Sequence, residues 1–300
     1  MHAPIALFVY DRPYHIRQTV ESLLKNLEVT DSDLIIFSDG PRHEMAQKGV
    51  SEVRAYIKTI DGFKSARIVE HKENLGLAQN IISGVTDVVN EYGRVIVLED
   101  DMVTSPYFLR YMNDGLETYE NDDRVISIHG YCYPIEGLPE TFFLKGADCW
   151  GWATWNRGWD LFEPDGAKLL EALDTNGLLE RFNLFGGYDY SGMLRNQIAG
   201  KNDSWAVRWY ASALLADKLT LYPGVSLVHN TGNDASGRHC AEVETFDTSL
   251  SKNPVQVGGI AVEEHPGALA QFHHFLKQAK PGIVSRAIGK TKRLKRMATR

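Results

Sequence analysis

The sequence predicts an α/β fold, a mostly parallel sheet flanked by helices, and three observations carry that expectation. Wholly apolar runs of four to six residues alternate with amphipathic stretches through the first 130 residues, which is how strands buried on both faces alternate with the helices that cover them. One of these runs, Arg94-Val95-Ile96-Val97-Leu98, ends abruptly in three acids, Glu99, Asp100 and Asp101. In an open α/β sheet the C-terminal edge of the strands is where ligands bind. Finally, 300 residues at 43% hydrophobic and 24% charged suffice for one large α/β domain with elaborations.

Taken in order, Ile5–Tyr10 is a buried strand, and Ile16, Val20, Leu23, Leu24 and Leu27 mark one face of the helix after it. Leu34–Phe37 is a second strand ending in the turn Ser38-Asp39-Gly40-Pro41, and Val50, Val53, Tyr56, Ile57 and Ile60 give the next helix. Ala66–Val69 is a third strand, followed by a helix face of Leu77, Ile81, Val85, Val88 and Val89. After the acid-tipped strand, Ser105-Pro106 reads as N-cap and first position of a helix buried through Phe108, Met112, Leu116 and Tyr119. Val125–Ile128 is a further strand. Beyond residue 130 the alternation dissolves into Trp-, Tyr-, Phe- and Gly-rich sequence, with a helix over 204–215, a strand at Leu219–Tyr222 and loop over 230–260.

Charge is unevenly placed. Residues 280–300 hold eight Lys or Arg and no acid, while the other 279 residues carry a net −15. Ile283, Ala287, Ile288, Thr291, Leu294 and Met297 fall near helical spacing, so this tail reads as a basic amphipathic segment suited to an anionic membrane, or as a solvated tail. So acidic a body argues against nucleic acid. No apolar run of about 18 residues occurs, and Cys132, Cys149 and Cys240 are odd in number without metal-like spacing, so the expected setting is cytoplasmic, peripheral on the inner face of the membrane.

Clustered carboxylates at a strand end stay charged cheaply only beside something positive, and hard oxygen ligands suit Mg²⁺ or Mn²⁺. The alternative is a solvated acidic loop capping a helix. If the sheet is parallel, Asp11-Arg12, Asp39, and His71 with Asn74 meet the acids at the same edge, where Arg can pair with phosphate and Asp or Asn with a base or ribose. Neither G-x-G-x-x-G after the first strand nor a P-loop is present.

Ile5–Tyr10 with Asp11-Arg12-Pro13, then Phe37-Ser38-Asp39-Gly40, then Glu73-Asn74-Leu75-Gly76-Leu77-Ala78-Gln79-Asn80, then Val97-Leu98-Glu99-Asp100-Asp101, resembles the GT-A inverting glycosyltransferases over roughly residues 4–240. The pattern is similar to the Golgi N-acetylglucosaminyltransferases, which share the Glu-Asp-Asp motif, and to the bacterial family-two-like enzymes. The resemblance implies a catalytic domain over 1–279, with a nucleotide-sugar half (1–130) and an acceptor half (131–279), and a nucleotide-sugar donor, UDP-linked. It implies Asp101 as ligand to Mn²⁺ or Mg²⁺, Asp100 at the ribose or a metal-bound water, and Glu99 at the donor sugar. Asp39 would take the uracil edge, Arg12 the donor nucleotide, and the segment from Asn74 to Asn80 would pack beside base and ribose. For Asn74 and Gly76 a turn and helix start is the competing assignment.

Inverting transfer needs a carboxylate to remove the acceptor proton. Asn202-Asp203-Ser204-Trp205 resembles the Trp-Asp-Asp-Trp segment that supplies it in the Golgi enzymes, which leaves Asp203 as the candidate, against a helix N-cap; Asp189 and then Asp148 are reserves. Trp150, Trp152, Trp155 and Trp159 cluster within ten residues; Trp150 and Trp152 are the expected sugar platform, the rest core. The loop 228–239 offers Arg238 for the diphosphate and His239 for the metal, or merely a solvent-facing histidine. The expected reaction is sugar transfer to a glycan or lipid-linked acceptor in surface polysaccharide synthesis. A sugar-phosphate nucleotidyltransferase would need a Gly-rich basic loop after the first strand, which Asp11-Arg12-Pro13 is not; a glycan-binding scaffold without turnover is the alternative of another class.

Overall fold

The computed structural model describes residues 2–233 and 244–279. The predicted alternation is present: β1 (Ile5–Val9), α1 (Pro13–Leu23), β2 (Asp33–Ser38), α2 (Gln47–Ile57), β3 (Ser65–Glu70), α3 (Leu77–Tyr92) and β4 (Arg94–Glu99). There follow β5 (Met102–Thr104), α4 (Phe108–Thr118), β6 (Val125–His129), β7 (Thr141–Lys145) and β8 (Trp152–Trp155). The second half adds α5 (Asn156–Trp159), α6 (Gly166–Thr175), α7 (Leu179–Phe182), α8 (Tyr190–Ile198), α9 (Trp205–Leu215), β9 (Leu219–Pro223), β10 (Val228–Asn230) and α10 (Pro266–Ala279). The helix expected to start at Ser105 begins instead at Phe108. Ser105 Oγ accepts the Tyr107 N–H at 3.2 Å and donates to the Ser251 carbonyl, so the Ser-Pro pair shapes a turn before the helix.

Eight strands form one sheet in the order β3-β2-β1-β4-β8-β6-β9-β7. The first four are mutually parallel, β6 and β9 are parallel to each other, and β8 runs antiparallel to both β4 and β6. A separate pair, β5 with β10, sits just beyond the tip of β4. Alternation decides which helix each strand residue meets. Ile5, Leu7, Leu34 and Ile36 pack with Ile16 and Val20 of α1, Val53 of α2 and Phe108 and Met112 of α4. Ala6, Phe8, Ile35 and Phe37 pack with Ile81, Val85 and Val88 of α3 and with Trp205 and Trp209 of α9.

The positioning consequence is in the register. Val9 pairs with Ser38, Ser38 with Glu70, and Phe8 with Glu99, so four strands stop level and release their loops on one edge. Because β8 runs antiparallel and pairs Trp152 with Val97, the segment just before it, 148–151, lies beside the acidic tip of β4. Among the described residues no helix is long and apolar enough to cross a membrane. The expectation of a basic amphipathic tail over 280–300 lies outside the described residues.

Candidate active site

Asp100 and Asp101 follow β4 with 3% and 8% exposure, and Glu99 is half-buried. Arg12, in the β1–α1 loop, spans the pair: its guanidinium bonds Asp100 and also reaches Asp101 Oδ2 at 2.9 Å. Backbone contacts fix the acids from both sides. Thr19 Oγ1 donates to the Asp100 carbonyl at 2.8 Å, and the Thr231 N–H donates to the Asp101 carbonyl at 2.9 Å. Burial is the main force pushing Glu99 up to about 8, with the Asp101 and Asp100 charges adding to it. Burial likewise pushes Asp100 up to about 6, against the Arg12 charge, which holds it down. Burial works against the Arg12 charge as well, but Asp100 and Asp101 outweigh it and the guanidinium stays protonated.

These three acids therefore carry more negative charge than one arginine can balance, and Asp101 Oδ1 is buried without a partner. That orphaned oxygen and the hard donor set fit Mg²⁺ or Mn²⁺, which bind through one or two carboxylates and complete their shells with water and phosphate. Among the described residues no group of three His, Cys, Asp or Glu forms a closed metal cage, as expected for a shell shared with a ligand. The expected contributions of Arg238 and His239 lie outside the described residues.

Asp39, at the tip of β2, does something other than expected. Its Oδ1 accepts the N–H of Gly40 and of Leu75, and its Oδ2 accepts the N–H of Gly76 and the Asn74 side-chain amide, all within 2.8–3.0 Å. A carboxylate has about four acceptor sites, so none is left for a uracil edge. The Asp39 assignment is corrected: it pins the 74–76 loop to the sheet. Asn74 is the other half of that clamp and also donates to the Gly40 carbonyl. Gly76 takes φ +78° at the cap of α3, a backbone that side chains rarely adopt. Leu75 and Leu77 are thereby held 40% and 51% exposed, an apolar shoulder beside the acids. Asn80 is 2% exposed in the first turn of α3, so it packs beneath the loop and is corrected from a ligand contact to a buried residue.

The tryptophans divide as well. Trp152 is fully buried among Trp159, Trp205 and Trp209, with ring centroids 5.5–5.8 Å apart, so its expected sugar contact is corrected to a core role. Trp150 is half-buried at the edge, against Tyr131 (4.7 Å) and Phe246 (6.2 Å). Ser204 is the N-cap of α9, accepting from the Val207 N–H, which releases Asp203 from capping. The Asp203 side chain is 69% exposed, 3.7 Å from the Arg208 guanidinium, and its Oδ2 stands 3.9 Å from where a Cβ on Gly76 would lie. Asp189 caps α8 through the Gly192 N–H.

Three contributors carry weak sequence signals. Arg54 on α2 ties the β2 and β3 tips together through Ser38 Oγ and the carbonyls of Asp39 and His71. Thr19 sits on a helix face that periodicity marks only as polar. Gly232 has the one detectable clue, a glycine next to a strand end: a Cβ there would overlap Asp101 Oδ2 and stand 3.1 Å from the Arg12 guanidinium. Gly232→Ala should displace Asp101 and abolish Mn²⁺-dependent stabilisation by nucleotide while the metal-free protein melts within a few degrees of wild type, measured by thermal denaturation.

His129 at the end of β6 is fully buried, and neither ring nitrogen has a hydrogen-bond partner. Its neighbours are Tyr131, Tyr222 and the Asp148 carboxylate, whose Oδ2 is 3.7 Å from Nε2. Burial lowers its pKa, and Asp148 only partly opposes this. A histidine whose folded pKa is depressed contributes no pH dependence above its unfolded value near 6.5 and costs stability below it, because only the unfolded chain gains the proton. Melting temperature should therefore fall as pH drops below about 6.5, and His129→Phe should flatten that acid limb.

A sheet ordered in this way, with level strand ends converging on a buried acidic tip, defines a GT-A glycosyltransferase. Residues 5–143, the donor-side strands and loops, match the family model described as Glycosyl transferase family 2. Among solved structures the chain is similar to the mannosyltransferase PcManGT from Pyrobaculum calidifontis in complex with GDP-Man and Mn²⁺, at 13% identity over 45% of this chain and 36% of that one, TM-score 0.32. It is also similar to S. aureus TarS, at 12% identity over 48% of this chain and 24% of that one, TM-score 0.31. The chain thus spans about a third of the first and a quarter of the second. No curated protein matches it.

Proposed function

We propose that the protein is a metal-dependent inverting glycosyltransferase that moves a sugar from a UDP-linked donor to a glycan or lipid-linked acceptor in surface polysaccharide synthesis. The observation that carries this is the buried Asp100–Asp101 pair with its single arginine and the orphaned Asp101 oxygen, at the edge where four strands end. Asp101, with Asp100 beside it, would hold Mn²⁺ or Mg²⁺, whose chemistry is to neutralise charge on the departing diphosphate. Arg12 is within reach of the same phosphates and turns its guanidinium from the acids to the donor. The Leu75–Leu77 shoulder packs beside base and ribose, and Glu99 faces the donor sugar. Asp203, exposed and free of capping, takes the proton from the attacking hydroxyl, so a single displacement inverts the anomeric centre. The basic tail holds the enzyme at the inner face of an anionic membrane, where a lipid-linked acceptor would be presented.

A screen of nucleotide-sugars for Mn²⁺-dependent thermal stabilisation tests the donor site, since a ligand at 100 times its dissociation constant adds about 2.7 kcal/mol. No shift with any of them would sink the reading. With the active donor, Asp203→Asn should keep the shift and lose roughly 10²- to 10⁴-fold in transfer, the usual worth of a general base. Unchanged transfer would move the base elsewhere.

A further inference from the structure

A second carboxylate stands outside the donor site with surroundings of its own. Asp148 lies in the segment that β8's antiparallel register sets beside the tip of β4, and its side chain is about one-third exposed (35%). Its Oδ1 accepts the Cys149 N–H, and its Oδ2 faces buried His129 Nε2 at 3.7 Å, too long for a hydrogen bond. Around it runs a continuous aromatic wall. The His129 ring packs on Tyr222 (5.1 Å) and Tyr131, Tyr131 on Trp150 (4.7 Å) and on Tyr133 (5.5 Å), mostly edge to face. Burial, followed by the Asp148 charge among the neighbouring groups, raises the hydroxyls of Tyr222 and Tyr133 well above their ordinary range, so they remain neutral. The Asp148, Glu99 and Asp101 charges all reach the Cys149 thiol, which places this wall next to the acidic tip.

We infer that Asp148 and the wall of Trp150, Tyr131, Tyr133 and Tyr222 form an acceptor subsite that takes an uncharged pyranose ring. Aromatic faces and edges match the apolar face of a sugar, and an ionised carboxylate only accepts, so it selects a ring offering hydroxyl donors. The same charge repels an acidic sugar. A uronic acid or phosphorylated ring would place a second anion against Asp148, whose only nearby histidine is kept neutral by burial. His129 is a positioning residue behind the carboxylate. The inference rests on the glycosyltransferase reading, because only there does a sugar site beside the acidic tip serve an acceptor.

The test is saturation-transfer NMR on the full chain with methyl glycosides of glucose, galactose, mannose and N-acetylglucosamine, and with methyl glucuronide. The wild type should bind at least one neutral glycoside saturably and the glucuronide about 10-fold more weakly or worse. Asp148→Asn should lose about 10-fold in affinity for the neutral ring, the worth of a charged hydrogen bond, and should erase the discrimination against the glucuronide. Loss of the charge discrimination separates recognition from a merely structural role. Trp150→Ala should weaken all the glycosides alike, giving a second route if Asp148→Asn folds poorly. Absence of saturable binding by every neutral glycoside, or equal discrimination in wild type and Asp148→Asn, overturns the inference. The donor reading is scored separately, by stabilisation of the wild type with nucleotide-sugar and Mn²⁺, so its failure and that of the acceptor subsite are distinguishable.

Discussion

Replacing Asp101 by alanine should erase Mn²⁺-dependent stabilisation by the donor and lower transfer by about 10³-fold or more, because a cation on a leaving diphosphate is worth several kcal/mol and each 1.36 kcal/mol is tenfold. The fold should survive. The Asp101 carbonyl keeps its bond from the Thr231 N–H after the side chain is gone, and Arg12 keeps Asp100. Removing one of three crowded acids also relieves Glu99, whose proton affinity is raised by burial and then by the Asp101 charge. Thermal melting without metal should therefore change little while the metal-dependent shift disappears. A variant that retains the shift would show that the cation is held elsewhere, and an apo protein that unfolds would show that Asp101 serves the scaffold.

The donor half was legible because each of its elements obeys one strong rule. Ile5–Val9, Asp33–Ser38 and Arg94–Glu99 are apolar runs too short for helices, and the helices between them repeat on one face. The half after residue 130 was not, since its elements answer to partners distant in sequence. β7 pairs with β9, and β8 slips between β4 and β6 although its sequence, Trp-Ala-Thr-Trp, reads as an aromatic cluster. The same limit explains the site. Spacing brought Arg12, Asp39, Asn74 and the acids to one edge, but it cannot tell a carboxylate that meets a ligand from one saturated by backbone amides. Trp150 and Trp152 are two residues apart on one segment, yet one lies at the edge and the other, wedged between three indoles, is core. Asp203 shows the reverse: a neighbour, Ser204, took the structural duty that the sequence could equally have given to the acid.

Asp39 offers the sharpest test of that distinction. Asp39→Ala leaves the N–H groups of Gly40, Leu75 and Gly76 and the Asn74 amide without their acceptor in a largely buried setting. Each unpaired donor costs about 1–3 kcal/mol, partly recovered by water entering the gap, so a net loss of about 3 kcal/mol is expected. For a chain of this size that is roughly a 6–10 °C drop in melting temperature. Donor affinity should fall as well, because Gly76 then has no reason to hold its left-handed backbone and the Leu75–Leu77 shoulder drifts. Asp39→Asn should be nearly as damaging, since its NH₂ group would face N–H donors where an oxygen is needed. If Asp39 instead met the base directly over an independently stable loop, Asp39→Asn would melt like wild type and alter only which nucleotide binds. Melting curves of the two variants, taken without ligand, separate a residue that builds the donor site from one that reads the donor.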